Sequence, residues 1–278
     1  METKQLGSTD ITISAIGLGG MPMSISGRPD EAQSIEVIHR ALDLGVTLID
    51  TADSYCKDES DKHHNERLIA KALQEYQGNT KVTIATKGGL MRPNGDWTRN
   101  GNPKHLKETI RISFEALGGE KPIDIWQYHA PDTKYSIEES LKPAAEAVKS
   151  GLIRFVGVSN FSVEQIKRAS EVVDIVSVQN QYNPWHRQPE FDGVLEYCDR
   201  QKLTFLPWSP LGGSRRASKL GDIKAIASMA KTKGVSVYAI VLAWVRAKSP
   251  CIVPIPGASK VSSIEDSVKS VQVTAIVR

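Results

Sequence analysis

The chain has 278 residues, 40% hydrophobic and 24% charged, with a formal net charge of +3 at pH 7. This length buries a large core as one barrel or two ordinary domains, and the small, dispersed positive charge leaves no electrostatic footprint for nucleic acid, though a phosphate-bearing small molecule remains allowed. Cys56, Cys198 and Cys251 are odd in number and far apart, which fits free thiols in a reducing compartment. Met1-Glu2-Thr3-Lys4-Gln5 holds no apolar signal core, and no run approaches the ~20 apolar residues that span a bilayer, so a soluble, cytoplasmic chain without a membrane role is expected.

In chain order, Thr3 to Ile13 predicts a short hairpin turning at Gly7-Ser8-Thr9-Asp10, followed by a strand at Ala15 to Leu18. Ile35, Ile38 and Leu42 recur at helical spacing before Gly45 and a strand at Val46 to Ile49. The alternation continues with a helix over Asn65 to Tyr76, a strand over Val82 to Ala85, a helix over Pro103 to Leu117 and a strand over Ile123 to Tyr128. Helices at Ser136 to Lys149, Ser162 to Val172 and Pro189 to Gln201 alternate with strands at Ile153 to Val158, Ile175 to Val178 and Leu203 to Leu206. A helical stretch from Ile223 to Lys248, broken near Gly234, leads to Cys251 to Pro254 and a last helix over Ser262 to Val271.

Alternating strands and helices, with strands apolar throughout, predict one domain over residues 1–278, a closed eight-stranded parallel (β/α)8 TIM barrel after the hairpin. An open doubly wound sheet is the second choice, because Gly17-Leu18-Gly19-Gly20 lacks the spacing and the immediate helix of a dinucleotide turn. In a barrel the C-terminal strand ends share one rim, which gathers Asp50, Tyr55, Lys87 and His129. An ammonium beside a Tyr hydroxyl stabilises the tyrosinate, an Asp can hold the ammonium, and a His can bond the same substrate oxygen.

The segments Leu48-Ile49-Asp50-Thr51-Ala52-Asp53-Ser54-Tyr55, Ala85-Thr86-Lys87, Tyr128-His129, Gly157-Val158-Ser159-Asn160-Phe161, Val178-Gln179-Asn180-Gln181-Tyr182-Asn183, Trp208-Ser209-Pro210-Leu211-Gly212 and Ile255-Pro256-Gly257 resemble the aldo-keto reductase superfamily, in order and from end to end. The resemblance implies a (β/α)8 barrel that binds NADPH across its rim and reduces a small carbonyl substrate, with Asp50, Tyr55, Lys87 and His129 as the catalytic set. Tyr55 is then the general acid, Lys87 and Asp50 tune it, and His129 orients and polarises the substrate. Ser159, Asn160 and Gln179 fall where the family binds the nicotinamide carboxamide, and Trp208 where an aromatic ring stacks on it. Ser209, Leu211 and Gly212 match the pyrophosphate loop, and the loop from Gly257 matches the adenosine end, with Lys260 and Ser263 near the 2′-phosphate and Asp266 near the adenine.

The chain departs from the family pattern at several places. Ser263 and Ser267 stand where an Arg or Gln and an Asn are common, so the expectation of NADP(H) over NADH rests partly on Lys260. Cys56 replaces the usual Gly after the catalytic Tyr, Lys57 to His64 lengthens the adjacent loop, and the chain stops at Ile276-Val277-Arg278 where the family commonly continues into another helix.

Alternatives stand beside these assignments. Asp50 and Lys87 alone would fit a structural ion pair; His63-His64-Asn65-Glu66 fits a solvated loop with Asn65 as N-cap, and no metal is expected. Arg215, Arg216 and Lys219 fit either a phosphate contact or a solvated basic loop, and Trp97 and Trp185 sit in rim loops within reach of substrate. Two other functions remain open: a nicotinamide-binding regulatory subunit, and a barrel lyase or isomerase with Lys87 as Schiff-base nucleophile. A monomer or weak homo-oligomer is expected.

Overall fold

A computed structural model of the chain describes residues 1–274, so the chain end at 276–278 lies outside the described residues. Its elements are β1 (Thr3–Gln5), β2 (Thr12–Ser14), β3 (Leu18–Gly19), α1 (Glu31–Asp43), β4 (Leu48–Asp50), α2 (His64–Glu75), β5 (Thr83–Gly88), β6 (Leu90–Met91), β7 (Thr98–Arg99), α3 (Pro103–Ala116) and β8 (Ile123–Tyr128). They continue as α4 (Ile137–Lys149), β9 (Ile153–Ser159), α5 (Val163–Ser170), β10 (Ile175–Gln179), α6 (Gln188–Phe191), α7 (Val194–Arg200), β11 (Thr204–Phe205), α8 (Ser214–Ala217), α9 (Lys224–Lys233), α10 (Val237–Ala247) and α11 (Val261–Lys269).

Seven strands form one parallel sheet in the order β11-β10-β9-β8-β5-β4-β3, and helices cover its outer face. Parallel strands buried on both faces need no polar alternation, which is why Ile123, Ile125 and Trp126 are all sheltered. The register sets Asp50 opposite Ala85 and Lys87 opposite Gln127, so Asp50 lies two positions from Lys87 on the neighbouring strand, and the two side chains share a face. Ser136 and Ser162 cap α4 and α5, each through a reciprocal capping box with the residue three positions on.

The eighth strand expected at Cys251 to Pro254 is not formed as a regular strand. Pro250, Pro254 and Pro256 have no N–H to give a ladder. The segment bonds at single points instead: Phe205 N–H donates to Cys251 O at 2.9 Å, and Gly17 and Gly19 N–H donate to Pro254 O and Pro256 O at 2.8 and 2.9 Å. Both edge strands of the seven-stranded sheet are therefore bridged to residues 251–257. A second difference is the helix expected from Pro189 to Gln201, which divides into α6 and α7 at Gly193, where φ is +81°.

The antiparallel β1–β2 hairpin buries Leu6, Ile11 and Ile13 against Leu48, Ala85, Ile125 and Val253. Leu48, Ala85 and Ile125 lie toward the N-terminal ends of their strands, so the hairpin packs on the sheet away from the strand ends that carry the polar residues. Among the described residues no single helix is long and apolar enough to cross a membrane.

Candidate active site

Asp50 ends β4, Lys87 lies near the end of β5, and Tyr55 follows in the turn after β4. Lys87 is fully buried, and its Nζ donates to Asp50 Oδ2 at 2.9 Å, Thr51 O at 2.7 Å and Tyr55 OH at 2.9 Å, which engages all three ammonium hydrogens. The same nitrogen lies 4.4 Å from the centroid of the Tyr55 ring. Gln179 Nε2 donates to the other oxygen of Asp50 at 2.8 Å, so the carboxylate is held from two strands. Burial lowers the Lys87 pKa from its ordinary value, with Asp50 opposing the shift, while burial and the Asp50 charge hold the Tyr55 hydroxyl well above the usual phenol value. Tyr55 is therefore a protonated donor at neutral pH.

His129 follows β8, buried, with its ring centroid 5.9 Å from that of Tyr55. Burial, reinforced by the Lys87 charge, holds its pKa well below 6.5, so the imidazole is neutral. Ser54 Oγ lies 3.5 Å from Nδ1, which leaves Nε2 as the ring nitrogen able to bond a ligand. Asn160, in the left-handed region at φ +63°, donates from Nδ2 to His129 O at 3.0 Å and Ser159 Oγ at 3.1 Å, and its Oδ1 accepts from Trp208 Nε1 at 3.0 Å. Ser159 Oγ in turn donates to Gln179 O at 2.7 Å. One polar chain thus fixes the Trp208 ring relative to His129.

These residues border a cavity of about 690 Å³. Asp50, Tyr55, His129, Ser159, Asn160, Gln179, Trp208, Ser209, Leu211, Gly257 and Ser263 line it, and Lys87 sits beneath, in contact with Tyr55. Gly212, Lys260 and Asp266 do not line it; Gly212 backs onto Trp185, and an Asp266 carboxylate oxygen accepts from Ser236 Oγ. Trp97 lines the cavity and Trp185 does not. Arg215 and Arg216 are exposed on α8, whose Ser214 and Ala217 border the cavity.

The sequence matches the Aldo/keto reductase family over residues 15–276. This chain belongs to the aldo/keto reductase family. Aldo/keto reductases are oxidoreductases, and an uncharacterized oxidoreductase of Schizosaccharomyces pombe is 39% identical over 267 residues, covering 94% of this chain and 82% of that protein. A thermostable aldo-keto reductase solved with the inhibitor epalrestat superposes with a TM-score of 0.83 at 30% identity, covering 98% of this chain and 95% of the other. An aldo-keto reductase of Klebsiella pneumoniae solved with NADPH shares the fold, with a TM-score of 0.82 at 21% identity over the whole of this chain and 92% of its own.

The expected solvated loop at 63–66 is a correction in this aldo/keto reductase: His63, Asn65 and Glu66 are all buried. His63, at φ +64°, is the N-cap, and Asn65 lies inside α2. Its amide donates to Gly20 O at 3.0 Å and Ser24 Oγ at 2.7 Å and accepts from Thr51 Oγ1 at 2.7 Å. A Cβ on Gly20 would meet Asn65 Oδ1 at 2.3 Å, so the loop after β3 is moulded onto this amide. Glu66 accepts from His63 Nδ1 at 2.6 Å and from Thr86 Oγ1, next to Lys87 in sequence. Asp53 accepts from Thr109 Oγ1 at 3.0 Å and lies 3.4 Å from Lys62 Nζ. A layer of buried acids therefore backs the site, and the signal was available: Asn65 shares a helical stripe with Leu68, Ile69 and Ala72.

Proposed function

We propose that this chain is an NADP(H)-dependent reductase of aldehydes or ketones with Tyr55 as general acid, acting at the rim of a barrel whose eighth position is residues 251–257. The observation that carries this reading is the Lys87 ammonium bound at once to Asp50, Thr51 O and the Tyr55 hydroxyl beneath a cavity that Tyr55 and His129 border. With all its donors engaged and no exposed surface, Lys87 is poorly placed as a Schiff-base nucleophile, which favours proton transfer over the lyase alternative.

A substrate carbonyl oxygen between Tyr55 OH and His129 Nε2 accepts two hydrogen bonds, the neutral imidazole orienting it and the phenol supplying the proton. As Tyr55 gives up its proton, the ammonium at 2.9 Å stabilises the tyrosinate, and Asp50, fixed by Gln179, keeps that ammonium in place. Bound NADP(H) would supply the hydride. The cavity fits such a group: Trp208 offers a ring fixed on its edge, and Gly19 and Gly257 bring backbone to the wall, where a Cβ would meet Ile255 O at 2.8 Å or Pro22 Cγ at 2.6 Å. Ser159, Asn160 and Gln179 would hold the carboxamide, Ser209 and Leu211 would border the pyrophosphate, and Ser263 would lie toward the 2′-phosphate. The Klebsiella pneumoniae protein of this fold is solved with NADPH, which supports the same cofactor here.

The test is NADPH oxidation against a panel of aldehydes and ketones. Wild type is expected to turn over, and Tyr55→Phe to lose about 10²- to 10⁴-fold in kcat with its thermal melt retained. Full activity in Tyr55→Phe would remove the proton-donor assignment.

A further inference from the structure

One cationic side chain borders the cavity and has no part in the mechanism above: Arg92, in the turn between β6 and β7, 5% exposed. Its Nη2 donates to Lys57 O at 3.2 Å and Gly95 O at 2.8 Å, while Nε and Nη1 have no partner. Among the described residues no carboxylate forms an ion pair with it. Glu59 accepts the Arg92 backbone N–H with one oxygen, and its other oxygen lies 4.0 Å from Lys62 Nζ. Burial pushes the Cys56 thiol up to about 12, so it is neutral and provides no counter-charge. A buried guanidinium with unspent donors and no carboxylate paired to it is an incomplete arrangement.

Trp97 covers this group. Its ring centroid lies 3.9 Å from the guanidinium carbon, its plane stands nearly perpendicular to the Tyr55 ring at 6.5 Å between centroids, and the residue is 46% exposed. The segment turns on left-handed backbone at Asn94 (φ +52°) and Gly95 (φ +85°), and no hydrogen bond among the described residues ties the indole down. The cationic group is therefore separated from the proton donor by one aromatic ring and closed off by a side chain held through stacking.

We propose that Arg92 is a carboxylate-binding residue, and that the preferred substrates are aromatic aldehydes bearing a carboxylate across the ring from the carbonyl. The carbonyl reaches Tyr55, the ring packs along Trp97, and a shift of the indole lets the carboxylate take the unpaired N–H donors in charge-assisted hydrogen bonds. This inference rests on the reductase reading and names its substrate class.

The experiment compares 4-formylbenzoate with its uncharged methyl ester, using NADPH and the full chain. Wild type is expected to favour the acid by about 10- to 100-fold in kcat/KM, through KM. Arg92→Met should collapse the acid-to-ester ratio and Arg92→Lys should keep part of it. A wild-type ratio at or below one, or an Arg92→Met variant that slows both substrates in proportion, would overturn the proposal. If Arg92→Met does not fold, the wild-type ratio decides. Calorimetry with benzoate separates the two readings. Benzoate binding that falls at least about tenfold in Arg92→Met, with neither aldehyde reduced, keeps the anion site and removes the reductase. Ester reduction without benzoate binding removes the anion site alone.

Discussion

The floor of the cavity and the wall across from it are built in opposite ways. The floor comes from β4, β5 and β8, where Asp50 and Lys87 are buried and every hydrogen of the ammonium is assigned. The wall comes from Trp208 to Leu211, after the two-residue β11, and from Ile255 to Gly257, in a segment that meets the two edge strands only at isolated bridges, and Trp208 is tied by one side-chain bond to Asn160. Proton chemistry needs donors fixed before the reaction starts, because reorganisation would add to the barrier. A long ligand needs the reverse: backbone and small side chains left open for it to satisfy.

The contrast can be broken by experiment. Lys87→Met should cost about 3–5 kcal/mol in urea unfolding, because Asp50 is left buried without its cation, and should abolish reduction. A loss no larger than that of a wall variant would end the contrast. Asn65→Ala should cost about 1–3 kcal/mol, since Gly20 O, Ser24 Oγ and Thr51 Oγ1 lose their shared partner. Trp208→Ala should weaken NADPH binding by roughly tenfold or less, as fits the loss of one aromatic contact of about 0.5–1.5 kcal/mol, with the urea midpoint held. The smallest effect is an absence: kcat/KM for reduction should show no inflection near 6.5, because His129 stays neutral until well below that value. Stability follows the same sign. His129 and His105, the latter lowered to about 4, are neutral in the fold while the unfolded chain takes up protons from 6.5 downward. The contribution of each neutral ring is full above 6.5 and is lost as pH falls from there toward 4, a window that acid titration of the melting temperature reads directly.

The floor was legible in the sequence and the wall only partly. Asp50, Lys87 and His129 close or follow apolar runs, and strand ends in an alternating chain share a rim, so their meeting follows from topology. The strand at 251–254 misled because Ile252 and Val253 look like any buried strand, while the prolines around them decide how many ladder bonds can form. Asn65 misled for a different reason. Asparagine caps helices well in isolation, yet here its amide is spent on a loop 45 residues away, and His63 takes the terminus without a side-chain cap. Arg92 was invisible, because only three-dimensional contact tells a solvated arginine from one sealed under a tryptophan.

The hairpin beneath the sheet carries a consequence for biosynthesis. Lys4 Nζ donates to the carbonyls of Pro250 and Ile252, the first of these 246 residues further along, and Gly7 N–H donates to Thr204 Oγ1. At a translation rate of about 5–20 residues per second, the hairpin waits roughly 10–50 seconds on the ribosome for its partners to appear. Through that interval the pocket around Leu6, Ile11 and Ile13 has Leu48, Ala85 and Ile125 but stays open where Val253 and Ile255 later close it, so yield in a host should respond to chaperone supply and to lower growth temperature more than to any change at the rim.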